Sequence, residues 1–193
     1  MAKAYDPLDY ENLARSVVTA LLESASTALP PTEKFSGSGV YALYYTGSLP
    51  FYSHIASSDL REPIYVGKAV PTGTRKGNRQ VDSESSAEFH RRLHDHAKSI
   101  EQAENLDLVE FQVRYLVVMP VWITLAERFL INHFRPVRNT VIEGFGNHDP
   151  GRGRLAMRRP HWDIVHPGRP WAAKLQAAET TEEIVRLIGK PAR

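Results

Sequence analysis

Residues able to do chemistry fall in a few short stretches of the chain. The segment HRRLHDH carries Arg92 and His96 four positions apart, so on a helix both side chains share one face and can reach a common site. A guanidinium there can hold an oxyanion with its fork of donors, and an imidazole can exchange protons near neutral pH. The competing explanations are a surface arginine and a structural histidine, with His90 and His94 close by. GVYALYY and PIYVGKAV carry Tyr41 and Tyr65 among β-branched and aromatic neighbours. A free phenol ionises at about 10, so it serves as a base only where a cation or histidine favours the phenolate. Otherwise such tyrosines are core residues, as Tyr44 and Tyr45 are expected to be. TLAERFLI sets the carboxylate of Glu127 in an otherwise largely apolar run. An acid in that setting is a salt-bridge partner or a ligand for a hard cation, and spacing alone favours the salt bridge. Lys68 follows the second tyrosine closely enough to stabilise a phenolate or touch an anion. Asn139 in RPVRNT is either a hydrogen-bonding organiser or a helix-ending turn residue.

The elements that must hold these groups follow from hydrophobic period. Leu13, Val17, Val18, Leu21 and Leu22 predict an amphipathic helix over about 7–24, broken by Pro30 and Pro31. Strands are predicted at 39–45, entered from a Gly37-Ser38-Gly39 turn, at 63–70, and at 108–119. Between the first two lies a polar excursion, 46–62, and after the second a Gly, Ser, Arg and Lys-rich loop, 71–86. Phe89, Leu93 and Ile100 predict a helix over about 86–102. Another spans about 122–134, stopped by Pro136, and a short one spans about 179–188. The stretch 144–171, rich in Gly, Pro, Arg and aromatics, reads as ordered loop. The order of elements predicts a single α+β domain over 1–193, a small antiparallel three-stranded sheet flanked by helices.

Composition narrows the class. Apolar residues make up 42% and charged residues 24% of 193, which describes a globular chain. No apolar run approaches the roughly 18 residues of a membrane span, so no membrane association is expected. The N-terminal stretch lacks an apolar signal core, which points to a cytoplasmic protein. Cysteine is absent, and with it disulfides, thiolate metal sites and cysteine nucleophiles. The formal net charge of +2 says little, but Arg152, Arg154, Arg158, Arg159 and Arg169 crowd one segment against the single acid Asp163, with His161 and His166 between them. Such a concentration is either a nucleic-acid contact face or a solvated basic loop.

Gly39-Val40-Tyr41 and Tyr65-Val66-Gly67, followed in order by Arg92, His96, Glu127 and Asn139, resemble the GIY-YIG nuclease superfamily over about residues 37–140. The flanking text NLDL, GFGNH, WD and HPGR is most similar to a group of its type II restriction endonucleases, and carries the resemblance to about residue 172. The resemblance implies a homodimeric endonuclease that hydrolyses double-stranded DNA at a specific, palindromic site, with one Mg²⁺ (Mn²⁺ substituting) on Glu127. It implies that Arg92 grips the scissile phosphate. Tyr41 acts as base or water positioner, and His96 accepts a proton directly or through it. Tyr65 holds phosphate or nucleophile, Lys68 supports the site and Asn139 orders it. One carboxylate with waters and phosphate oxygens suits Mg²⁺, which keeps much of its hydration shell. Segments 46–62 and 71–86 are then insertions into the catalytic core, and 144–172 is a DNA-contacting extension. Arginine forks match guanine edges, so Arg152, Arg154, Arg158 and Arg159 point to a G/C-containing target, with Arg75, Lys76 and Arg79 on phosphates. A restriction role also implies a host DNA methyltransferase that this chain does not contact. The alternatives are a homing or repair-type nuclease, a nickase, or a nucleic-acid-binding module without catalysis.

Overall fold

The computed structural model describes residues 6, 8–33, 35–56, 58–71, 87–147, 149 and 157–189. Among them the chain runs α1 (Tyr10–Glu23), β1 (Thr27–Ala28), β2 (Gly39–Tyr45), β3 (Tyr65–Ala69), α2 (Glu88–Glu101), β4 (Phe111–Val117), α3 (Pro120–Phe134), α4 (Val137–Thr140), α5 (His161–Val165) and α6 (Thr181–Ile188). The sheet has four strands in the order β1-β4-β2-β3, every neighbouring pair antiparallel. The three-stranded expectation is therefore corrected. Residues Thr27 and Ala28 pair with Val113 and Gln112 on the outer side of β4. Two residues are too few to show alternation, so only the partner strand reveals them as a strand.

All seven residues of β2 are buried, because the strand is central and both sheet faces are covered. Alternation sends Tyr41, Leu43 and Tyr45 into one core with Phe89, Leu93 and Ile100 of α2 and with Phe145, Trp162 and Ile184 beyond them. It sends Val40, Ala42 and Tyr44 into the other, with Val18 and Leu21 of α1 and Ile123, Ala126 and Leu130 of α3. Tyr44 and Tyr45 are core residues. On edge strand β3 the same alternation puts Tyr65 and Gly67 toward α2, and Val66 and Lys68 toward α3.

Local signals set the helix limits. Asp9 caps α1, accepting from the Glu11 N–H. Pro120 begins α3, and Arg135 ends it in the left-handed region at φ 47°. The Thr180 and Glu183 capping box starts α6. The helix expected at 122–134 thus begins two residues earlier. The strand expected at 108–119 gives its first residues to a 3₁₀ turn, Leu108–Glu110. The 144–171 stretch contains a helix, α5, and the 46–62 excursion buries Tyr52 in the first core.

That tyrosine anchors a polar network linking the excursion to the C-terminal segment. The Tyr52 hydroxyl donates to His166 Nε2 at 2.7 Å, and His166 Nδ1–H donates to Asn105 Oδ1 at 2.9 Å. The Asn105 amide itself donates to the Val165 carbonyl, which fixes its orientation and hence the histidine tautomer. Above the network the buried Arg138 guanidinium lies over the rings of Trp162 (4.1 Å), Phe145 (4.5 Å), Phe111 (5.3 Å) and Tyr52 (5.5 Å). Burial, with Arg138 and Arg169 nearby, holds His166 well below the ordinary histidine range. The folded protein therefore keeps His166 neutral where the unfolded chain would protonate it. Its stabilising contribution is complete above the unfolded value of about 6.5 and is lost as pH falls below it, by up to about 1.4 kcal/mol per unit. Thermal melts between pH 7.5 and 5 should show wild type losing stability faster than His166→Gln. Parallel curves would remove His166 from the account.

Candidate active site

Tyr41 lies in the middle of the sheet with no exposed surface, and its hydroxyl is 2.7 Å from His96 Nε2. His96 comes from the buried face of α2, one turn after Arg92. His90 and His94 stack on each other at 4.0 Å on the outer side, where the His94 Nδ1–H donates to the His90 carbonyl. The fold therefore separates the three histidines and directs only His96 inward. The Tyr65 ring packs edge-on to His96 at 5.1 Å and sits 6.3 Å from the Tyr41 ring. A side chain at Gly67 would place its Cβ 2.5 Å from the Tyr41 oxygen, so glycine here is a condition of the two tyrosines coming together.

Arg92 and Glu127 complete the cluster from opposite layers. Burial raises the Tyr41 phenol well above its usual range, helped by Tyr65 and Glu127, while the Arg92 guanidinium bonds its oxygen and pulls the other way. Burial raises Tyr65 too, with Arg92 opposing and Glu127 adding. Both phenols are therefore neutral at ordinary pH in this state. The His96 Nε2 is the ring nitrogen that meets the Tyr41 hydroxyl.

Glu127, mostly buried on α3, is met by the Lys68 ammonium, Nζ to Oε2 at 2.7 Å. The two readings of this acid meet in one geometry: it forms a salt bridge, and the bridge lies beside the tyrosine cluster. A cation already placed against this carboxylate shows the position suits positive charge. Among the described residues no three His, Asp or Glu side chains gather to enclose an ion. A resident metal would thus have one protein carboxylate and otherwise water or substrate oxygens, a donor set that fits Mg²⁺.

Asn139 does not face the cluster. Its side-chain oxygen accepts from the Val66 N–H and its amide donates to the Val66 carbonyl, both at 2.8 Å. It completes the unpaired edge of β3 as a neighbouring strand would, and so fixes the strand that carries Tyr65, Gly67 and Lys68. Asn139→Ala should cost about 1–3 kcal/mol by leaving the Val66 backbone unpaired, read by urea unfolding. A loss below about 0.5 kcal/mol would show that water replaces the amide without penalty.

The arginine-rich segment divides. Arg169 is buried, its Nε and Nη2 forked onto the two Asp163 oxygens at 2.6 and 2.5 Å. Arg159 is half-buried and donates to the carbonyls of Ala172, Ala173 and Leu175 at 2.9–3.2 Å. Arg158 is exposed. Arg75, Lys76, Arg79, Arg152 and Arg154 lie outside the described residues. The Asp163–Arg169 pair was hidden in the sequence inside a run read as surface charge. Its one signal was the lone acid among five arginines.

Two tyrosines from adjacent antiparallel strands, a histidine and arginine one helical turn apart, and a glutamate from the next helix thus come together in one cluster. The chain matches the family model of the Eco29kI GIY-YIG domain over residues 33–190, and it belongs to that family, a branch of type II restriction endonucleases. No curated protein matches it significantly. The protein is accordingly a nuclease with DNA as its substrate. Among the described residues, no helix is long and apolar enough to cross a membrane.

Proposed function

We propose that this chain is a type II restriction endonuclease that cuts both strands of a specific, palindromic and G/C-containing site as a cytoplasmic homodimer, with one Mg²⁺ per active site. The observation that carries the reading is the 2.7 Å bond between Tyr41 and His96, beside Arg92 and within the field of Glu127. A neutral phenol bonded to an imidazole is a relay: the Tyr41 hydroxyl orients the attacking water and passes its proton to His96 Nε2. Arg92, half-buried at the same spot, holds the phosphoryl oxygens and offsets their added charge in the transition state. Tyr65 steadies the phosphate from the other side by hydrogen bond.

Glu127 would hold the metal, and Lys68 must then share or leave that carboxylate. When bound, Mg²⁺ neutralises phosphoryl charge and makes its water more acidic. Two copies related by a twofold axis present two such sites to a palindrome. Arg158 reads the target with Arg152 and Arg154, while Arg75, Lys76 and Arg79 contact phosphates. A host methyltransferase protects the same sequence.

The test is digestion of a sequenced phage DNA with Mg²⁺, Mn²⁺ or EDTA. Discrete double-strand fragments that need the metal support the reading, and their mapped ends give the target. Nicked circles alone would make this a nickase. Intact DNA from protein that binds it equally with EDTA would overturn the catalytic reading.

A further inference from the structure

Glu127 and Lys68 form an ion pair beside the tyrosine cluster, Nζ to Oε2 at 2.7 Å, with side chains 19% and 32% exposed. They reach each other from different elements. Glu127 stands on α3 beside the buried Ile123, Ala126 and Leu130, so the packing of that helix holds its carboxylate in place. Lys68 lies on edge strand β3 opposite Val40 of β2, and the strand is pinned at Val66 by the Asn139 amide. The backbone of both residues is therefore held, and what can turn is the four-carbon stem of the lysine. The pair also sits where a phosphate would be handled. The Glu127 charge acts on the phenols of both Tyr41 and Tyr65, as the Arg92 guanidinium does from the other layer.

Two cations share one carboxylate only at a cost. A divalent ion on this group would stand about 2.0–2.1 Å from an oxygen. The ammonium already stands 2.7 Å from Oε2. Like charges that close, in a partly buried place that water and salt screen poorly, repel strongly. One of the two has to give way, and α3 does not let the carboxylate follow either of them. The ammonium can leave. A third of its side chain is exposed, and lysine carries its charge as a compact, strongly hydrated head on a long stem. What favours its leaving is a new anion beside the site, and a DNA phosphate held by Arg92 supplies one.

We propose that Lys68 is a resident counter-ion that balances Glu127 in the DNA-free protein and is exchanged for the divalent cation when a DNA phosphate takes its ammonium. This rests on Glu127 being the metal ligand of the nuclease. A coupling between two ligands follows. Bound DNA draws Lys68 away and so strengthens metal binding, and by linkage bound metal strengthens DNA binding by the same factor. The metal is thereby loaded mainly where a phosphate is already in place.

The test is calorimetric titration of Mg²⁺ into the full-length, DNA-free protein, with wild type set against Lys68→Met, Lys68→Gln, Lys68→Arg and Glu127→Gln. The first two remove the ammonium and should bind Mg²⁺ at least about fivefold more tightly than wild type. Having two neutral variants keeps the comparison open if one of them folds poorly. Lys68→Arg keeps a cation on the carboxylate and should stay within about twofold of wild type. A second readout adds DNA. On saturating target duplex, wild type should reach half-maximal single-turnover cleavage at a Mg²⁺ concentration at least about fivefold below its DNA-free Kd. In Lys68→Met the two values should agree within about twofold, because no ammonium is left to displace. Unchanged or weaker Mg²⁺ binding in the neutral variants, with Glu127→Gln weaker than wild type, would overturn the exchange and leave Glu127 as the ligand. Equal binding by Glu127→Gln and wild type would overturn the exchange together with the metal assignment beneath it.

Discussion

Glu127→Gln should leave a folded protein that binds DNA and cleaves it at least about a thousandfold more slowly. Glutamine keeps the shape of the side chain and removes the charge that would hold a divalent cation. Loss of a metal forfeits several kcal/mol of charge stabilisation in the transition state, and about 1.4 kcal/mol corresponds to a factor of ten. Stability should change far less. The Lys68 ammonium that contacts Glu127 is one-third exposed, so the pair is worth about 1 kcal/mol at most. The two effects therefore separate: single-turnover cleavage collapses while the urea midpoint hardly moves. Cleavage by Glu127→Gln within about tenfold of wild type would show that this carboxylate is only the partner of Lys68. Binding of Mg²⁺ to the DNA-free protein, followed by calorimetry, should weaken in the same variant.

Asp163→Asn is expected to have the largest effect on stability. The Asp163 and Arg169 side chains are 2% and 1% exposed, and the pair is bidentate. Removing one partner strands a charge in a water-poor interior, at a cost of about 3–5 kcal/mol. For a domain of this size that is a fall in Tm of about 6–20 °C. Asparagine is close to isosteric, so no cavity contributes and the loss reports the charge. Thermal and urea unfolding would measure it, and a loss under about 1 kcal/mol would mean that water or a shifted carbonyl compensates Arg169.

These two sites differ in how openly the chain announces them. Arg92 and His96 are legible because a helix converts a spacing of four into one face, and the apolar period of 88–101 marks the helix. Tyr41 and Tyr65 are legible as strand residues, since β-branched and aromatic runs declare their period locally. Glu127 stands out as an acid in an apolar helix, but its spacing alone could not say whether it met a lysine or a metal. Asn139 was legible as an organiser and not as a clamp on the edge of β3, because the strand it completes lies more than seventy residues earlier. The fourth strand escaped for a similar reason: two residues have no period, and their pairing depends on β4.

Local order is therefore what the sequence by itself determined: the helices, the long strands, and the set of groups able to handle a phosphate. Backbone periodicity is a short-range property, and each residue carries its own chemistry wherever it is placed. Tertiary structure alone decided that Lys68 sits on Glu127, that Asn139 clamps the edge of β3, and that Arg169 faces inward to Asp163 and not outward to solvent. Burial and pairing of charge depend on partners brought together from distant parts of the chain. Whether an arginine is a surface cation or the centre of a clamp is settled by the water removed around it, and that is known only once the layers have closed.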